Sequence, residues 1–281
     1  MPFDIDETQV VRRAGAVIPK LGLGTWELRG TQCTSIVAEA LRLGYRHVDT
    51  AQGYGNEAAV GEGLAISGVS RDTVFLTTKV LPQQMADGDL QASVEVSLRK
   101  LGVSRIDLLL LHWPNPDIAL AETIGALNAV KRQGLVSHIG LSNFPSPLLE
   151  QAWSLTREPF ACEQLEYHPY LDQTIMLESL RRRGMAITAY CPIALGRVVG
   201  DPVIETIAKA HNRSAAQVTL RWLAQQDGVI AIPRTTKFER LAENLAVFDF
   251  SLSETEMAQM SRLTRPGSRL INEPDWVAAW D

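Results

Sequence analysis

The sequence predicts an α/β protein: a closed (β/α)8 TIM barrel with an N-terminal β-hairpin and an irregular C-terminal tail. Three observations carry this expectation. Eight short apolar runs are spaced along the chain, amphipathic helical stripes lie between them, and several of those stripes stop at a glycine just before the next run. The strand candidates are Leu21–Trp26, His47–Ala51, Val74–Val80, Asp107–Trp113, His138–Phe144, Cys162–His168, Ala186–Pro192 and Val229–Arg234. Runs such as DLLLLHW and MAITAYCP are apolar almost throughout, as parallel strands covered on both faces must be.

Taken in chain order, the segment VVRRAGAVIPKLGLG holds two β-like runs around Ala14-Gly15, which reads as a hairpin closing the N-terminal end of the barrel. The stretch SIVAEALRLGY sets Ile36, Val37, Ala40, Leu41 and Leu43 along one helical stripe, and Gly44 stops it. LQASVEVSLRKLG repeats the logic with Leu90, Val94, Leu98 and Leu101 on one face and Gly102 as the terminator. ALNAVKRQG ends at Gly134, and LESLRRRG at Gly184. Sequential right-handed connections of this kind favour a closed barrel over an open doubly wound sheet. The dinucleotide fingerprint of the open sheet is not met, because Glu27 stands where its third glycine belongs, so Gly22-Leu23-Gly24 reads as a strand end with a tight turn. Beyond Thr264 the tail is irregular but carries Trp276 and Trp280, and is expected to pack on the barrel. Residues 1–281 are read as one domain.

The 281-residue length suits a barrel, which commonly needs about 250 residues. Net charge is −5, and the densest basic cluster, Arg181 to Arg183, reads as a solvated helix end, so nucleic acid is not an expected partner. Cys33, Cys162 and Cys191 are odd in number and far apart, with no CxxC pair, which argues against a disulfide framework or a zinc site and suits a reducing, cytoplasmic compartment. Met1–Val10 carries acids and no apolar run, unlike a signal peptide, and the apolar run Leu108–Leu111 is far too short to span a bilayer.

Barrel enzymes place their chemistry at the C-terminal ends of strands. Asp49 closes the second strand, Tyr54 follows in its loop, Lys79 closes the third and His112 the fourth. Taken singly these are a cap, a loop tyrosine, a solvated lysine and a core histidine; falling on consecutive strand ends, they make one set. A lysine cation favours phenolate and lowers a tyrosine pKa, an aspartate keeps the lysine charged, and a histidine can orient a carbonyl oxygen. Such a set polarises C=O and protonates its oxygen as hydride reaches the carbon.

The segments GLGTW (Gly22–Trp26), DTAQGYGNEAAVG (Asp49–Gly61), TTK (Thr77–Lys79), LLLHWP (Leu109–Pro114), GLSNF (Gly140–Phe144), QLEYHPY (Gln164–Tyr170) and IPRTTKFERLAEN (Ile232–Asn244) resemble, in order, those of the aldo-keto reductase family. The nearest resemblance is to short bacterial members that reduce 2,5-diketo-gluconate or methylglyoxal, whose tails the ending SRLINEPDWVAAWD is similar to. The resemblance implies an NADPH-dependent, metal-free, monomeric carbonyl reductase with the tetrad Asp49, Tyr54, Lys79 and His112, Tyr54 being the general acid. It implies that Ser142, Asn143 and Gln164 hold the nicotinamide carboxamide and that Tyr190 stacks on the ring, with Gly24, Thr25, Trp26 and Cys191 alongside. Ile193 and Leu195 would border the pyrophosphate. Arg234, Thr235, Thr236 and Arg240 would grip the adenosine 2′-phosphate, and Glu243 and Asn244 would face adenine. Three cations at a helix start (Arg234, Lys237 and Arg240) are unfavourable for the helix dipole unless an anion sits there, which favours NADPH over NADH. Trp26, Tyr54, Leu81, His112 and Trp113, with tail residues such as Trp276, would wall an open substrate pocket.

The sequence departs from the family pattern in places. Leu81 replaces a common tryptophan, Glu163 stands where asparagine is usual, Arg234 replaces lysine, and CPIALG is one residue longer than the usual loop. The alternatives are a non-enzymatic NADPH-binding regulatory barrel, against which the complete tetrad argues, and a metal-dependent barrel hydrolase, whose HxH motif is missing.

Overall fold

The computed structural model describes residues 5–271 and 280. A two-stranded antiparallel hairpin, β1 (Val10–Arg13) and β2 (Ala16–Pro19), comes first. Its turn needs two residues with positive φ, and Ala14 (50°) and Gly15 (78°) supply them.

Eight parallel strands follow: β3 (Leu23–Gly24), β4 (His47–Asp49), β5 (Phe75–Val80), β6 (Ile106–Leu111), β7 (Val136–Ser142), β8 (Phe160–Glu166), β9 (Ala186–Tyr190) and β10 (Val229–Ala231). Each pairs with its sequence neighbour. The ring closes where Leu21 bridges Ala231 in parallel, with Gly22 N–H donating to the Ala231 carbonyl (2.9 Å) and Ala231 N–H to the Lys20 carbonyl (2.8 Å). As expected, the strand ends at Gly24 and a turn follows, with Leu28 N–H donating to the Thr25 carbonyl (3.0 Å); Gly22 and Gly24 are in addition close-approach residues. A Cβ at Gly24 would lie 2.7 Å from the Ile232 carbonyl oxygen, and one at Gly22 would lie 2.7 Å from the His47 ring.

Most strands stop short of the expected bounds at their C-terminal ends. Ala51, Trp113, Phe144, His168, Pro192 and Arg234 lie beyond the last paired residue. The apolar run continues there, but the backbone has already turned away to enter the loops of the mouth. At the other end β7 and β8 each begin two residues early, at Val136 and Phe160.

Helices α1 (Gly30–Leu43), α2 (Glu57–Ile66), α3 (Asp89–Leu101), α4 (Leu120–Arg132), α5 (Ser146–Leu155) and α6 (Thr174–Arg182) cover the outside of β3 to β9. α7 (Pro202–His211) and α8 (Ala215–Gln225) lie between β9 and β10, and α9 (Phe238–Leu245) and α10 (Glu254–Ser261) follow the ring. The alternation of strand side chains creates two cores. Outward residues such as Val48, Leu76, Leu109 and Ile139 pack with Ile36, Val37 and Leu127 of the helices. Inward residues Phe75, Leu108, Leu110 and Ile230 pack with Val11, Ala16 and Ile18, so the hairpin plugs the N-terminal end as expected. The chemistry is thereby confined to the opposite mouth. Among the described residues no helix is long and apolar enough to cross a membrane.

Candidate active site

Asp49 ends β4 and Lys79 sits on β5, both buried; Lys79 is 0% exposed. A buried ammonium is tolerated only if each N–H finds a partner. Lys79 Nζ donates to Asp49 Oδ1 (2.5 Å), the Thr50 carbonyl (2.9 Å) and the Tyr54 hydroxyl (3.2 Å). Burial pushes Lys79 toward neutrality, but the Asp49 charge and the Tyr54 oxygen outweigh it, and its pKa ends above the ordinary value.

Tyr54 lies on a short turn, Gln52–Tyr54, whose carbonyl end is held by the Arg29 guanidinium. Its pKa differs from the sequence expectation. Burial is the largest influence and raises it; Lys79 lowers it, and the net direction is up. His112, just past β6, meets the Tyr54 ring edge-on at 5.6 Å between centroids. Burial, and then the Lys79 charge, bring the His112 pKa down to about 3, so its imidazole is neutral at physiological pH. Leu81 and His112 both flank Gly53: a Cβ there would lie 3.1 Å from Leu81 and 3.8 Å from His112. The four tetrad positions therefore meet at one mouth.

A second cluster joins the first through Gln164, whose Nε2 donates to Asp49 Oδ2 (2.7 Å). The Gln164 carbonyl accepts from Ser142 Oγ (2.9 Å) and Asn143 N–H (3.1 Å). Asn143 Nδ2 donates to the His112 carbonyl (2.9 Å), and the Tyr190 hydroxyl donates to Asn143 Oδ1 (2.8 Å). Burial, with Glu166 adding to it, holds the Tyr190 pKa well above its usual value. Thr25 donates both N–H and Oγ1 to the Asp49 carbonyl, which ties the β3 end, with Gly24, to the tetrad.

The loop after β9 is conformationally strained. Cys191 (47°), Ala194 (48°) and Leu195 (53°) all take positive φ without being glycine, and Leu195 is 57% exposed. Ile193 is half-buried between them.

Around the seam, the Arg234 guanidinium pairs with Glu27 and lies 6.0 Å from the centre of the Trp26 ring. Thr235 is buried, its Oγ1 accepting from Lys237 N–H (3.0 Å), while Thr236, Lys237, Arg240 and Glu243 are exposed at the start and along α9. Asn244 is buried and turned toward the Tyr45 hydroxyl, unlike the outward-facing Glu243 beside it. Trp113 meets Trp280 edge-on at 6.4 Å, which places the Trp280 ring beside the mouth. Trp276 lies outside the described residues.

Sequence reasoning did not single out Glu166. Its fully buried carboxylate accepts from Leu270 N–H (2.7 Å), Ile271 N–H (2.8 Å) and His168 Nε2 (2.9 Å), and so pins the tail beside Tyr190. The available signal was an acid inside an apolar strand run, which must have donors waiting for it.

Comparison with known proteins converges on one family. The model of the aldo/keto reductase family matches residues 20–265. Methylglyoxal reductase DkgB of Yersinia pestis is 38% identical over 267 residues, covering 94% of this chain and 99% of that protein. An aldo-keto reductase of Mycolicibacterium smegmatis is 40% identical over 258 residues, covering 92% and 90%. Among solved structures, one provisionally named 2,5-diketo-D-gluconic acid reductase B superposes with a TM-score of 0.95 at 50% identity, covering 97% of each chain. A Gox0644 variant in complex with NADPH gives a TM-score of 0.90 at 35% identity, covering 98% and 100%.

Proposed function

This chain belongs to the aldo/keto reductase family, an oxidoreductase family, and from that premise we propose that it reduces small aldehydes and ketones to alcohols with NADPH. The substrates resemble methylglyoxal or 2,5-diketo-D-gluconate, the compounds named for its relatives. The observation that carries the reading is the buried Asp49–Lys79–Tyr54 chain with neutral His112 against it. A fully desolvated ammonium aimed at a phenol is costly and has no packing rationale.

The residues fit the cofactor. Amide and hydroxyl groups of Ser142, Asn143 and Gln164 gather beside Asp49 and suit a carboxamide, with Tyr190 as the flat neighbour of a nicotinamide ring. Arg234, Lys237 and Arg240, with Thr235 and Thr236, offer cations and hydroxyls to the adenosine phosphate at the start of α9. Gly24, Thr25, Trp26, Cys191, Ile193 and Leu195 border its path, and Glu243 its adenine end; Asn244, turned inward to Tyr45, supports α9 from behind.

When bound there, NADPH would supply hydride chemistry to the carbonyl carbon. The chain supplies the rest. His112, neutral, orients the carbonyl oxygen by a hydrogen bond. Tyr54 donates its hydroxyl proton to that oxygen, and the phenolate left behind is stabilised by Lys79, itself held charged by Asp49. Trp26, Leu81 and Trp113 wall the pocket. We further read residues 1–281 as one barrel domain working as a cytoplasmic monomer, in keeping with three free thiols.

Purified protein given methylglyoxal or 2,5-diketo-D-gluconate should consume NADPH absorbance. Tyr54→Phe should abolish turnover while leaving NADPH binding intact; a Phe variant that still turns over removes Tyr54 as the acid.

A further inference from the structure

Where β7 ends, three successive residues are tied to β8. The Ser142 hydroxyl and the Asn143 amide both reach the Gln164 carbonyl, whereas the Phe144 amide donates to a side chain, Glu163 Oε1, at 2.9 Å. The ladder is irregular here: the pairing register between β7 and β8 shifts between Ile139 and Leu141. Asn143 itself takes a left-handed backbone (φ 64°), a region asparagine enters more readily than other side chains but one that still costs energy and is secured by surrounding contacts. From that conformation its side chain reaches the His112 carbonyl on one side and receives the Tyr190 hydroxyl on the other. The pose of this turn thus sets the strand end carrying His112 and the ring of Tyr190 together.

Glu163 is an expensive way to hold one amide. It is 0% exposed, and its Oε2 meets no hydrogen-bond partner among the described residues. Ionised in such a place, the carboxylate would be an uncompensated buried charge. Burial accordingly pushes its pKa well above the ordinary carboxyl range, against the smaller pull of the Phe144 amide.

We propose that Glu163 is a positioning residue for the nicotinamide end of the cofactor site: its Oε1 fixes the Phe144 amide and thereby holds Asn143 in the left-handed pose that ties Tyr190 to the His112 strand end. The inference rests on the assignment of Ser142, Asn143 and Gln164 to the nicotinamide carboxamide.

The test compares two ligands on the whole protein: NADPH, and adenosine 2′,5′-bisphosphate, which carries the phosphates and adenine but no nicotinamide. Glu163→Leu keeps the site apolar and removes the acceptor. It should weaken NADPH by about tenfold, because binding must then re-order the released Asn143 turn, and leave the bisphosphate within about twofold. Glu163→Gln restores an acceptor oxygen and should bind NADPH as wild type does. Should the leucine variant prove insoluble, Glu163→Met, of similar length and without an acceptor, carries the same expectation. Unchanged NADPH affinity in the leucine or methionine variant, equal loss of both ligands, or no rescue by glutamine each overturn the inference. Asn143→Ala separates the two levels. If it selectively weakens NADPH while the Glu163 variants do not, only the Glu163 role falls. If it leaves the ratio of the two affinities unchanged, the carboxamide assignment falls first and the Glu163 role with it.

Discussion

Lys79 shows why the tetrad is one object rather than four residues. Its three N–H groups are matched by three oxygens, from Asp49, Thr50 and Tyr54, so removing the ammonium strips a partner from each at once. Lys79→Met should destabilise the fold by about 3–5 kcal/mol, because Asp49 is left as an unpaired buried charge. The same change should move the alkaline limb of kcat/KM for reduction upward, because Lys79 is what opposes the burial-driven rise of the Tyr54 pKa. Denaturant titration and a pH–rate profile of the residual activity check the two parts; a limb that stays in place would sever Lys79 from Tyr54. The tetrad residues stood out in the sequence because polar residues end apolar runs. Glu166 did not, and Glu163 stood out only as a departure from the family pattern, since an acid within a strand shows its purpose only once Phe144 or the tail amides are in place.

Each element works by closing one route and leaving another open. The hairpin fills the N-terminal end of the ring with Val11, Ala16 and Ile18, so no ligand can enter there. Ile18→Ala should cost about 2–5 kcal/mol through the lost transfer energy and the cavity left in the ring. The kcat of the folded fraction should stay unchanged, because the substitution lies at the end opposite Lys79; a large kcat loss with native stability would show that the plug and the mouth are coupled. The sequence announced this hairpin through Ala14-Gly15 and announced the helices through their stripes and terminal glycines, such as Gly44 (φ 116°). Strand ends were less legible. An apolar run records burial, whereas a ladder records pairing, and at the mouth Ala51, Trp113 and Phe144 remain in the run after pairing has ended.

For the whole molecule, buried titratable groups in the ring make stability depend on pH in two opposing ways. The His47 pKa is brought down to about 4, chiefly by burial, and that of His112 to about 3. The native state therefore resists taking protons that the unfolded chain accepts below its ordinary histidine value of 6.5. Stability from these groups is complete above that value and is lost as pH falls toward 4. Glu163 works the other way: its native pKa is raised, so the folded state keeps a proton that the unfolded chain releases above 4.5, and stability erodes as pH rises from there. His47→Gln should flatten the acid limb of the unfolding midpoint, and Glu163→Gln should raise the midpoint at pH 8 while matching wild type at acid pH. Parallel limbs in wild type and variants would refute the assignment of those protons. The sequence by itself determined the alternation of strand and helix, the plugged end, the reductase family and the four residues at or just after three consecutive strand ends, because periodicity, terminators and motif order are local properties of the chain. Only the tertiary structure decided how burial outweighs Lys79 at Tyr54, that Glu163 accepts from the Phe144 amide beside the Asn143 turn, that Glu166 pins the tail and that Arg234 pairs with Glu27 across the seam. Desolvation and long-range partners exist only after distant segments have been brought together, and nothing in a local stretch encodes which donor will arrive.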